Sequence, residues 1–370
     1  MIAVGHGGIY SGGSHQSLYA LAGLKKAGVD VMAVWGPDLE NDCEGFDRLR
    51  SLDIPFTLAP LNKSATVRSI LALRRTLREF QPDVVEAVKG QAQHHVLYAS
   101  LGLPCHAVVF YRGVSRPLDV FQALKYRLPR VNRIIANCEA LKRSMVETGL
   151  IRADKIDVVY GEFDPACAEP DAVNADGLRE ELVIPEGGPI ITQLGNWAEW
   201  RGQDVTLRAA AELKKRGEKA HFLFVGRETD RLKDLVNALE IQERVTLSSY
   251  RRDPERVLKV SDAAVNASTS IESLSGALLN AQAMGLPAVA SDLAGSAEIV
   301  ADGETGFIVP PRDATALADA LARLLAMTQD ERNRMGAAAR ARALKLFSSE
   351  ARVMKRLECY ERAIWERRKA

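Results

Sequence analysis

The sequence predicts an α/β protein built of two doubly wound, parallel-sheet domains, and three observations support this. The chain has 370 residues, more than one ordinary hydrophobic core holds. Short apolar runs alternate with amphipathic helical patterns, which is typical of parallel β/α units. The alternation breaks in the polar stretch 162–188, whose prolines and glycines make it the best linker candidate.

The first half carries six apolar runs that predict strands of the first domain. Between them lie amphipathic stretches such as 64–80, where Val67, Ile70, Leu71, Leu77 and Phe80 fall on roughly one face of a helix. We expect this domain to span 1–168. The six candidate strands are 29–35, 55–59, 83–88, 106–111, 133–137 and 155–160, and a short apolar run, 2–4, begins the chain.

The same rhythm restarts after the linker and predicts a second domain over 169–348. From about Asp313 the pattern is nearly all helical. The six candidate strands of this domain are 189–195, 221–226, 244–250, 263–268, 286–292 and 306–311.

Composition excludes several classes of protein. A hydrophobic fraction of 47% is globular, and a net charge of +1 gives no reason to expect nucleic-acid binding. No cationic leader begins the chain and no apolar run reaches the roughly 18 residues of a membrane span, so we expect a cytoplasmic protein. Without a CxxC pair, the five cysteines predict reduced core thiols and neither a zinc ribbon nor a disulfide framework. They are Cys43, Cys105, Cys138, Cys167 and Cys359.

Ligands of open α/β sheets bind beyond the carboxyl ends of the strands, so the loops there are the candidate sites. The first loop, in 5–18, carries Gly12 and Gly13 just before a helical pattern that starts near Ser14. Glycines at a helix start let backbone N–H groups approach a phosphate or a sugar. The spacing is not GxGxxG, so a dinucleotide site is not indicated, and a plain glycine turn stays open as the alternative.

The second loop, 193–205, places Arg201 beside Gly202 at the start of a helix. An arginine there can clamp a diphosphate through two hydrogen bonds. A solvated surface arginine is the alternative, but Trp197 and Trp200 in the same loop favour a binding site.

The third loop, in 268–292, leads into a helix of small residues. Ser275 is the candidate N-cap, and Gly276 and Ala277 leave the first N–H groups bare for an anion. Glu272 can bind sugar hydroxyls, and Asn280 can both donate and accept hydrogen bonds. A small-residue helix packed tightly on the sheet is the alternative.

The stretch from Ser268 to Leu321 resembles the nucleotide-binding half of the family-4 retaining glycosyltransferases, which have the GT-B fold. The family pattern is approximately E-G-F-G-x-x-x-x-E-A-M-A-x-G-x-P-V-V-A-S, then G-x-x-E-I-V, then D-G-x-T-G-x-L-V. The matching residues are Ala281, Met284, Gly285, Pro287, Ala290, Ser291, Gly295, Glu298, Ile299, Val300, Asp302, Gly303, Thr305 and Gly306.

The resemblance extends over essentially the whole chain. Gly12 and Gly13 match a Gly-Gly loop of the family, and 194–202 matches a segment that ends in Lys-Gly. It implies a GT-B fold, in which two Rossmann-like domains face a cleft and the final helix, 349–370, crosses back to the first domain.

Two donor-side positions depart from the family pattern. The family has two glutamates eight residues apart; Glu272 occupies the first place, but Asn280 occupies the second, which in relatives binds ribose hydroxyls. Relatives also pair an arginine with a lysine near the diphosphate. Here Asn196 stands for the arginine and Arg201 for the lysine, so one positive charge is missing. The candidates to replace it are Arg227, Arg251 and Arg252.

The acceptor side departs as well. Many relatives place a histidine where Tyr111 and Arg112 stand in this chain, and there it contacts the sugar. We interpret this arginine as a specialisation for an anionic acceptor.

Two hypotheses of different classes follow from the resemblance. In the first, the protein is a metal-independent, retaining glycosyltransferase of surface polysaccharide or glycolipid assembly, with Arg112, Arg201 and Glu272 as catalytic residues. In the second, it is a degenerate, inactive GT-B protein that serves as a binding or scaffold partner. The expected donor-binding residues are Gly12, Gly13, Asn196, Arg201, Ser275, Gly276, Ala277 and Asn280.

The implied partners are a nucleotide-diphosphate sugar as donor and a glycan, a lipid-linked molecule or another anionic molecule as acceptor. We expect no cofactor and, without clustered Asp and His residues, no metal ion. From Arg112 to Lys155 ten basic and four acidic residues leave a local charge of about +6. An anionic membrane surface at the inner face of the membrane is therefore a further candidate partner, with solvated helix faces as the alternative.

Overall fold

The computed structural model describes residues 1–6, 13–36, 43–61, 66–103 and 107–369, without the side chains of 6, 13–15, 43 and 44. The chain forms two compact units. Unit 1 comprises Met1–Glu162 and Ser349–Ala370, and unit 2 comprises Phe163–Ser348. Each unit is built on a wholly parallel sheet, so the fold class predicted from the alternating pattern is confirmed.

Unit 1 has a seven-stranded sheet in the order β3-β2-β1-β4-β5-β6-β7. Its strands are β1 (Ile2–His6), β2 (Met32–Gly36), β3 (Phe56–Leu58), β4 (Val84–Ala87), β5 (Ala107–Arg112), β6 (Arg133–Ala136) and β7 (Ile156–Val158). Its first six helices are α1 (Gly13–Lys26), α2 (Cys43–Ser51), α3 (Val67–Phe80), α4 (Gly90–Ala99), α5 (Val120–Arg127) and α6 (Glu139–Gly149). The chain reverses direction of winding at β1, so the crevice of this sheet lies between β1 and β4.

Unit 2 has a six-stranded sheet in the order β10-β9-β8-β11-β12-β13. Its strands are β8 (Ile190–Leu194), β9 (His221–Val225), β10 (Val245–Ser248), β11 (Ala263–Asn266), β12 (Ala288–Ser291) and β13 (Gly306–Val309). Its helices are α7 (Leu178–Glu181), α8 (Gln203–Lys215), α9 (Lys233–Ala238), α10 (Pro254–Lys259), α11 (Gly276–Ala283), α12 (Ser296–Ile299), α13 (Ala314–Leu325) and α14 (Gln329–Phe347). Here the winding reverses at β8, and the crevice lies between β8 and β11.

The last helix, α15 (Ser349–Lys369), belongs to unit 1. It places Val353, Cys359 and Tyr360 in the hydrophobic core of that unit. The contact with α1 is close because residue 23 is a glycine: a Cβ there would lie 2.6 Å from Val353 Cγ2. A helix separated from unit 1 by the whole of unit 2 in sequence thus completes the core of unit 1.

Two buried ion pairs also hold α15 in unit 1. Arg356 Nη2 lies 3.6 Å from Glu86 Oε1 of β4, and Arg352 Nη1 lies 3.4 Å from Glu162 Oε2. Tyr360 Oη donates to Glu86 Oε2 at 2.7 Å. Burial holds the pKa of Tyr360 well above its usual value, so the phenol is a hydrogen-bond donor in the folded protein.

The stretch 162–188 is only partly the linker that its composition predicted. It contains two 3₁₀ turns, Pro165–Cys167 and Pro170–Ala172, followed by α7. Leu178, Leu182 and Ile184 are buried in a core cluster with residues of β8 and β9. Because polar residues separate these three apolar side chains, the sequence shows no clear apolar face here.

Three cysteines of the described part, Cys138, Cys167 and Cys359, are buried and form no disulfide, as their scattered spacing predicted. Cys105 and the side chain of Cys43 lie outside the described residues. Among the helices that the structure describes, none combines the length and the apolar character needed to cross a membrane.

Candidate active site

The switch-point crevice of unit 2 brings together the second and third loops that the sequence singled out. Ala263 and Ala264 of β11 pair with Ile191 and Thr192 of β8, so the two strands end side by side. The loops that follow them are joined directly, because the Thr269 N–H donates to the Trp200 carbonyl oxygen at 2.7 Å. The structure therefore forms one site from segments almost seventy residues apart.

Two glycines allow this close approach. Gly202 has φ +62°, and a Cβ on it would lie 1.9 Å from the carbonyl oxygen of Ala267. A Cβ on Gly226, after β9, would lie 2.2 Å from the carbonyl oxygen of Gly195. Since neither position has room for a side chain, the loops after β8, β9 and β11 are packed backbone against backbone.

Arg201 ends the 3₁₀ turn Glu199–Arg201, immediately before α8. The centre of its guanidinium lies 4.5 Å from the centroid of the Trp200 ring, a stacking geometry that holds the side chain in place. In the part of the chain that the structure describes, no carboxylate lies within 4.0 Å of it. Arg201 is therefore a positioned cation without an internal counter-ion.

The N-terminus of α11 is capped and otherwise bare. Ser275 is the N-cap, as predicted, and its Oγ accepts a hydrogen bond from the Leu278 N–H at 3.4 Å. The N–H groups of Gly276 and Ala277 have no acceptor within the helix, since they lie in its first turn. Gly276 is exposed, with no atom within 4 Å of the position of a Cβ. An anion can approach these N–H groups closely, and the helix dipole favours it.

Glu272 lies half-buried in the loop between β11 and α11. Its Oε2 accepts from Ser268 Oγ at 3.1 Å, whereas Oε1 has no hydrogen-bond partner among the described residues. The preceding residue, Ile271, has φ +63°, an unfavourable conformation for a β-branched side chain. Strain of this kind persists where the surrounding structure enforces it, as it does at ligand sites.

Asn280 has a partner that the sequence analysis did not foresee. Its Oδ1 accepts the backbone N–H of Asp164 at 2.8 Å, which ties the chain just before Pro165–Cys167 to α11. No acceptor for Nδ2 is found among the residues described. The amide therefore keeps a donor for a ligand, while its oxygen already has a structural hydrogen bond.

Asn196 likewise braces the site. It is exposed, and its Oδ1 accepts the Arg227 N–H at 3.0 Å, which connects the loops after β8 and β9. The guanidinium of Arg227 lies 5.2 Å from the centroid of the Tyr250 ring and has no carboxylate within 4.0 Å in the described chain. Arg227 is thus a second cation without a counter-ion.

Arg251 cannot replace the missing charge. Its Nε and Nη2 donate to the two carboxylate oxygens of Asp253 at 2.8 and 2.7 Å, and Nη1 donates to Glu181 at 2.5 Å. These bonds raise the pKa of the guanidinium further above its usual value. Arg251 is a structural residue, although its sequence context made it a candidate.

The carboxyl edge of the unit 1 sheet is cationic. Arg112 ends β5, donates to the Arg116 carbonyl oxygen, and has a buried Nε without a partner among the described residues. Its guanidinium and the Lys125 ammonium lie 5.9 and 5.4 Å from the centroid of the Tyr126 ring. Burial, and then the charge of Arg112, lower the pKa of Lys125 to about 8. Burial, and then Lys125, also lower the pKa of His94.

Gly13 is the first residue of α1, so the predicted glycine loop does lead into a helix. Gly12 lies outside the described residues. Within the described chain, no three His, Cys, Asp or Glu side chains are placed to hold a metal ion.

Several signature residues of the family have structural roles here. Asp302 Oδ1 accepts the Ile308 N–H at 2.9 Å, and Thr305 Oγ1 accepts the Ala301 N–H at 2.9 Å. A Cβ on Gly306 would lie 1.9 Å from the Ala288 carbonyl oxygen. This part of the pattern shapes the turn before β13 and is evidence for the fold.

Two Rossmann-like units with a helical C-terminus that returns to the first one define the GT-B class of proteins. Two family models match the chain: Glycosyltransferase Family 4 over residues 11–166 and Glycosyl transferases group 1 over residues 174–342. The chain therefore belongs to the family-4 (group 1) glycosyltransferases, as the resemblance implied.

Curated relatives match part of the chain. A D-inositol 3-phosphate glycosyltransferase of Nocardia farcinica is 34% identical over 65% of this chain and 55% of its own length. The alpha-D-kanosaminyltransferase of Streptomyces kanamyceticus is 25% identical over 66% of this chain and 64% of its own length. The matched region is thus less than two thirds of either relative.

Solved structures resemble the whole chain in fold. A glycosyltransferase from Rickettsia africae has a TM-score of 0.86 at 19% identity and covers 98% of both chains. Anabaena HepE in complex with UDP has a TM-score of 0.78 at 18% identity, with 96% of this chain and 98% of that chain covered.

Proposed function

We propose that the protein is a retaining, metal-independent glycosyltransferase that uses a nucleoside-diphosphate sugar. The observation that carries this proposal is the crevice of unit 2, where Arg201 lacks a counter-ion and the first N–H groups of α11 lack acceptors. A diphosphate satisfies both. The similar fold of HepE, which was crystallised with UDP and with UDP-glucose, supports this type of donor.

Arg201 and the N–H groups of Gly276 and Ala277 would act on the leaving group. In the reaction, the bond between the sugar's anomeric carbon and the phosphate oxygen breaks, and its electron pair leaves with the nucleoside diphosphate. An acceptor hydroxyl bonds to the same carbon and loses its proton. Positive groups that are positioned before the reaction stabilise the departing negative charge without reorganisation. Arg227 supplies a second cation near this loop cluster, in place of the arginine that Asn196 replaces.

Glu272 and Asn280 would orient the donor. The unpartnered Oε1 of Glu272 can accept from sugar hydroxyls, and Asn280 Nδ2 can donate to a ribose hydroxyl. Asn280 would therefore contact the ribose as the family's second glutamate does, but as a hydrogen-bond donor where relatives have an acceptor.

We assign the acceptor to unit 1 and propose that it is a glycan or lipid-linked molecule that carries a negative charge. Arg112, Lys125 and His94 form a partly buried basic cluster, and the buried Arg112 Nε has no partner in the described chain. Gly12, which lies outside the described residues, and Gly13 stay candidate donor-binding residues that would approach the nucleotide sugar through their backbone N–H groups. The role of Arg112 at the reacting face and the retained stereochemistry rest on the family resemblance.

No observation favours the inactive alternative. The two altered donor-side positions, Asn196 and Asn280, both make hydrogen bonds that hold the site's loops together, and Glu272 is in place.

Nucleotide binding tests the proposal. We would titrate the protein with UDP, GDP and ADP and follow its thermal unfolding, since a ligand at a hundredfold excess over Kd stabilises by about 2.7 kcal/mol. We expect a shift with one base, loss of that shift in Arg201→Ala, and its retention in Arg208→Ala, an exposed arginine of α8. Hydrolysis or transfer of the sugar from the matching nucleotide sugar would then establish turnover. No binding of any nucleoside diphosphate at millimolar concentration would refute the proposal.

A further inference from the structure

Helix α5 of unit 1 exposes apolar side chains to solvent and buries a lysine. Its apolar residues face solvent: Val120 is 72% exposed, Phe121 84% and Leu124 52%. Its inner face instead carries Lys125, 9% exposed, and Tyr126, 2% exposed. Scattered exposed apolar residues are ordinary, but three large ones on one face of a two-turn helix, with a lysine buried beneath, are not.

Polar contacts of the inner face fix this orientation. Asp119 caps the helix, with its Oδ1 accepting the Gln122 N–H at 2.8 Å. Tyr126 packs edge-on against Phe110, with ring centroids 5.7 Å apart, and its Oη accepts from Gln93 Nε2 at 3.1 Å. The helix therefore cannot rotate to bury its apolar face without breaking these contacts.

The apolar face continues beyond the helix and has a basic border. Val114 before the helix and Leu128 after it are 47% and 43% exposed. Two of the six basic residues between Arg112 and Arg133, namely Arg116 and Arg127, are exposed, and the one acid in this range, Asp119, serves as the helix cap. In sequence, these two arginines come just before and just after the apolar residues Val120, Phe121 and Leu124 of the helix.

We propose that this face, which we define as Val114, Val120, Phe121, Leu124 and Leu128 with Arg116 and Arg127, docks on an anionic lipid bilayer. An interfacial helix inserts apolar side chains among the acyl chains while its cations contact the headgroups. Charge favours this occupant over a second copy of the chain, since two such basic borders would repel each other. Docking here would hold unit 1 at the surface that carries a lipid-linked acceptor, a consequence that rests on the proposed function.

Cosedimentation with vesicles tests the inference and needs no nucleotide sugar, so it is independent of the proposed chemistry. The probes are vesicles of phosphatidylcholine alone and of phosphatidylcholine mixed with phosphatidylglycerol. We expect binding to the anionic vesicles only, reduced on the order of tenfold by Val120→Ser with Phe121→Ser and by Arg116→Glu with Arg127→Glu. The matched control is Val183→Ser in unit 2, where the side chain is 82% exposed but follows two glutamates.

Each other result overturns the inference. Equal binding to both vesicle types would remove the role of charge. Binding that is unchanged by the serine pair would show that the apolar face does not insert. If the wild-type protein binds no vesicles but forms a dimer that the serine pair dissociates in analytical ultracentrifugation, the face is an interface between two copies. Because the substituted side chains of the face are exposed, circular dichroism and thermal unfolding should be unchanged in the serine and glutamate pairs.

Discussion

The two units treat their arginines differently. Unit 1 buries three of them against acids: Arg133 with Asp157, Arg352 with Glu162, and Arg356 with Glu86. At the crevice of unit 2, Arg201 and Arg227 lie over aromatic rings and have no carboxylate within reach in the described chain. The arginines of unit 1 are neutralised by acids within the fold, whereas the charges of Arg201 and Arg227 remain available to a ligand.

The physical reason lies in desolvation. A buried charge without a partner is strongly destabilising, so Arg352 and Arg356 of α15 and Arg133 of β6 need their acids. An arginine stacked on an aromatic ring at the end of a sheet keeps contact with solvent on its other side and tolerates the absence of an acid. A counter-ion thus distinguishes the three buried arginines of unit 1 from Arg201 and Arg227 at the crevice of unit 2, for which we propose a ligand.

The largest effect should follow from breaking a buried pair. Glu86→Ala leaves Arg356 without a counter-ion and Tyr360 without an acceptor, and should lower the free energy of unfolding by about 3–5 kcal/mol in urea denaturation. The matched control, Glu79→Ala, removes an exposed partner of Arg75 and should change it by less than about 0.5 kcal/mol. Equal, small losses in both variants would contradict the distinction.

Arg201→Ala should weaken nucleotide binding and leave the stability of the fold unchanged. It removes one charge-assisted contact to the diphosphate, about 1.5–3 kcal/mol, which corresponds to a Kd on the order of tenfold to a hundredfold higher by calorimetry. The free energy of unfolding should be unchanged within about 0.5 kcal/mol. Arg251→Ala, which breaks the pair with Asp253 and Glu181, should instead lower stability and leave Kd unchanged. An equal loss of nucleotide affinity in both variants would show that Arg201 acts through the fold.

Substitutions of the α11 cap should separate capping from binding. Ser275→Ala loses the bond to the Leu278 N–H and about 1 kcal/mol of stability. Ser275→Asp keeps a capping oxygen and should be nearly as stable as the wild type, yet its carboxylate should repel a diphosphate and raise Kd. If Ser275→Asp binds nucleotide as the wild type does, the ligand does not lie at this helix end.

A small pH effect should come from Lys125. Because its pKa is lowered to about 8 in the folded protein, the native state loses this proton before the unfolded state, whose lysine titrates near 10.5. The unfolded state therefore binds more protons between these values, and this group makes stability rise as the pH rises from about 8 to about 10.5. Lys125→Met should remove that rise in urea denaturation series, and a slope identical to the wild type would contradict the assignment.

The spacing of apolar residues and the positions of turn residues predicted most of the fold. All twelve candidate strands and the short run 2–4 became strands; turn residues flank them, and the inner strands are covered on both faces of a parallel sheet. Ser275 was recognisable as a cap because its signal lies within three residues. The prediction that 162–188 is a linker was wrong in part. Leu178, Leu182 and Ile184 are spaced too irregularly among polar residues to indicate a packed face.

The site was predictable as a set of loops but not in its contacts. Asn280 holds the backbone of Asp164, and Glu86 pairs with Arg356, across sequence separations that no local pattern encodes. Nor did the sequence distinguish Arg227 from Arg251, since both follow strands and lie in polar loops. Only the fold shows that one stacks on Tyr250 and the other is bound by two acids.

Hydrogen–deuterium exchange with and without the nucleoside diphosphate that binds locates the donor site. We expect protection of the loop after β8, residues 195–202, and of 267–280, because a bound diphosphate covers the bare N–H groups of α11. Protection confined to other segments, or exchange at 267–280 that is unchanged under saturating nucleotide, would contradict the assignment of this crevice as the donor site.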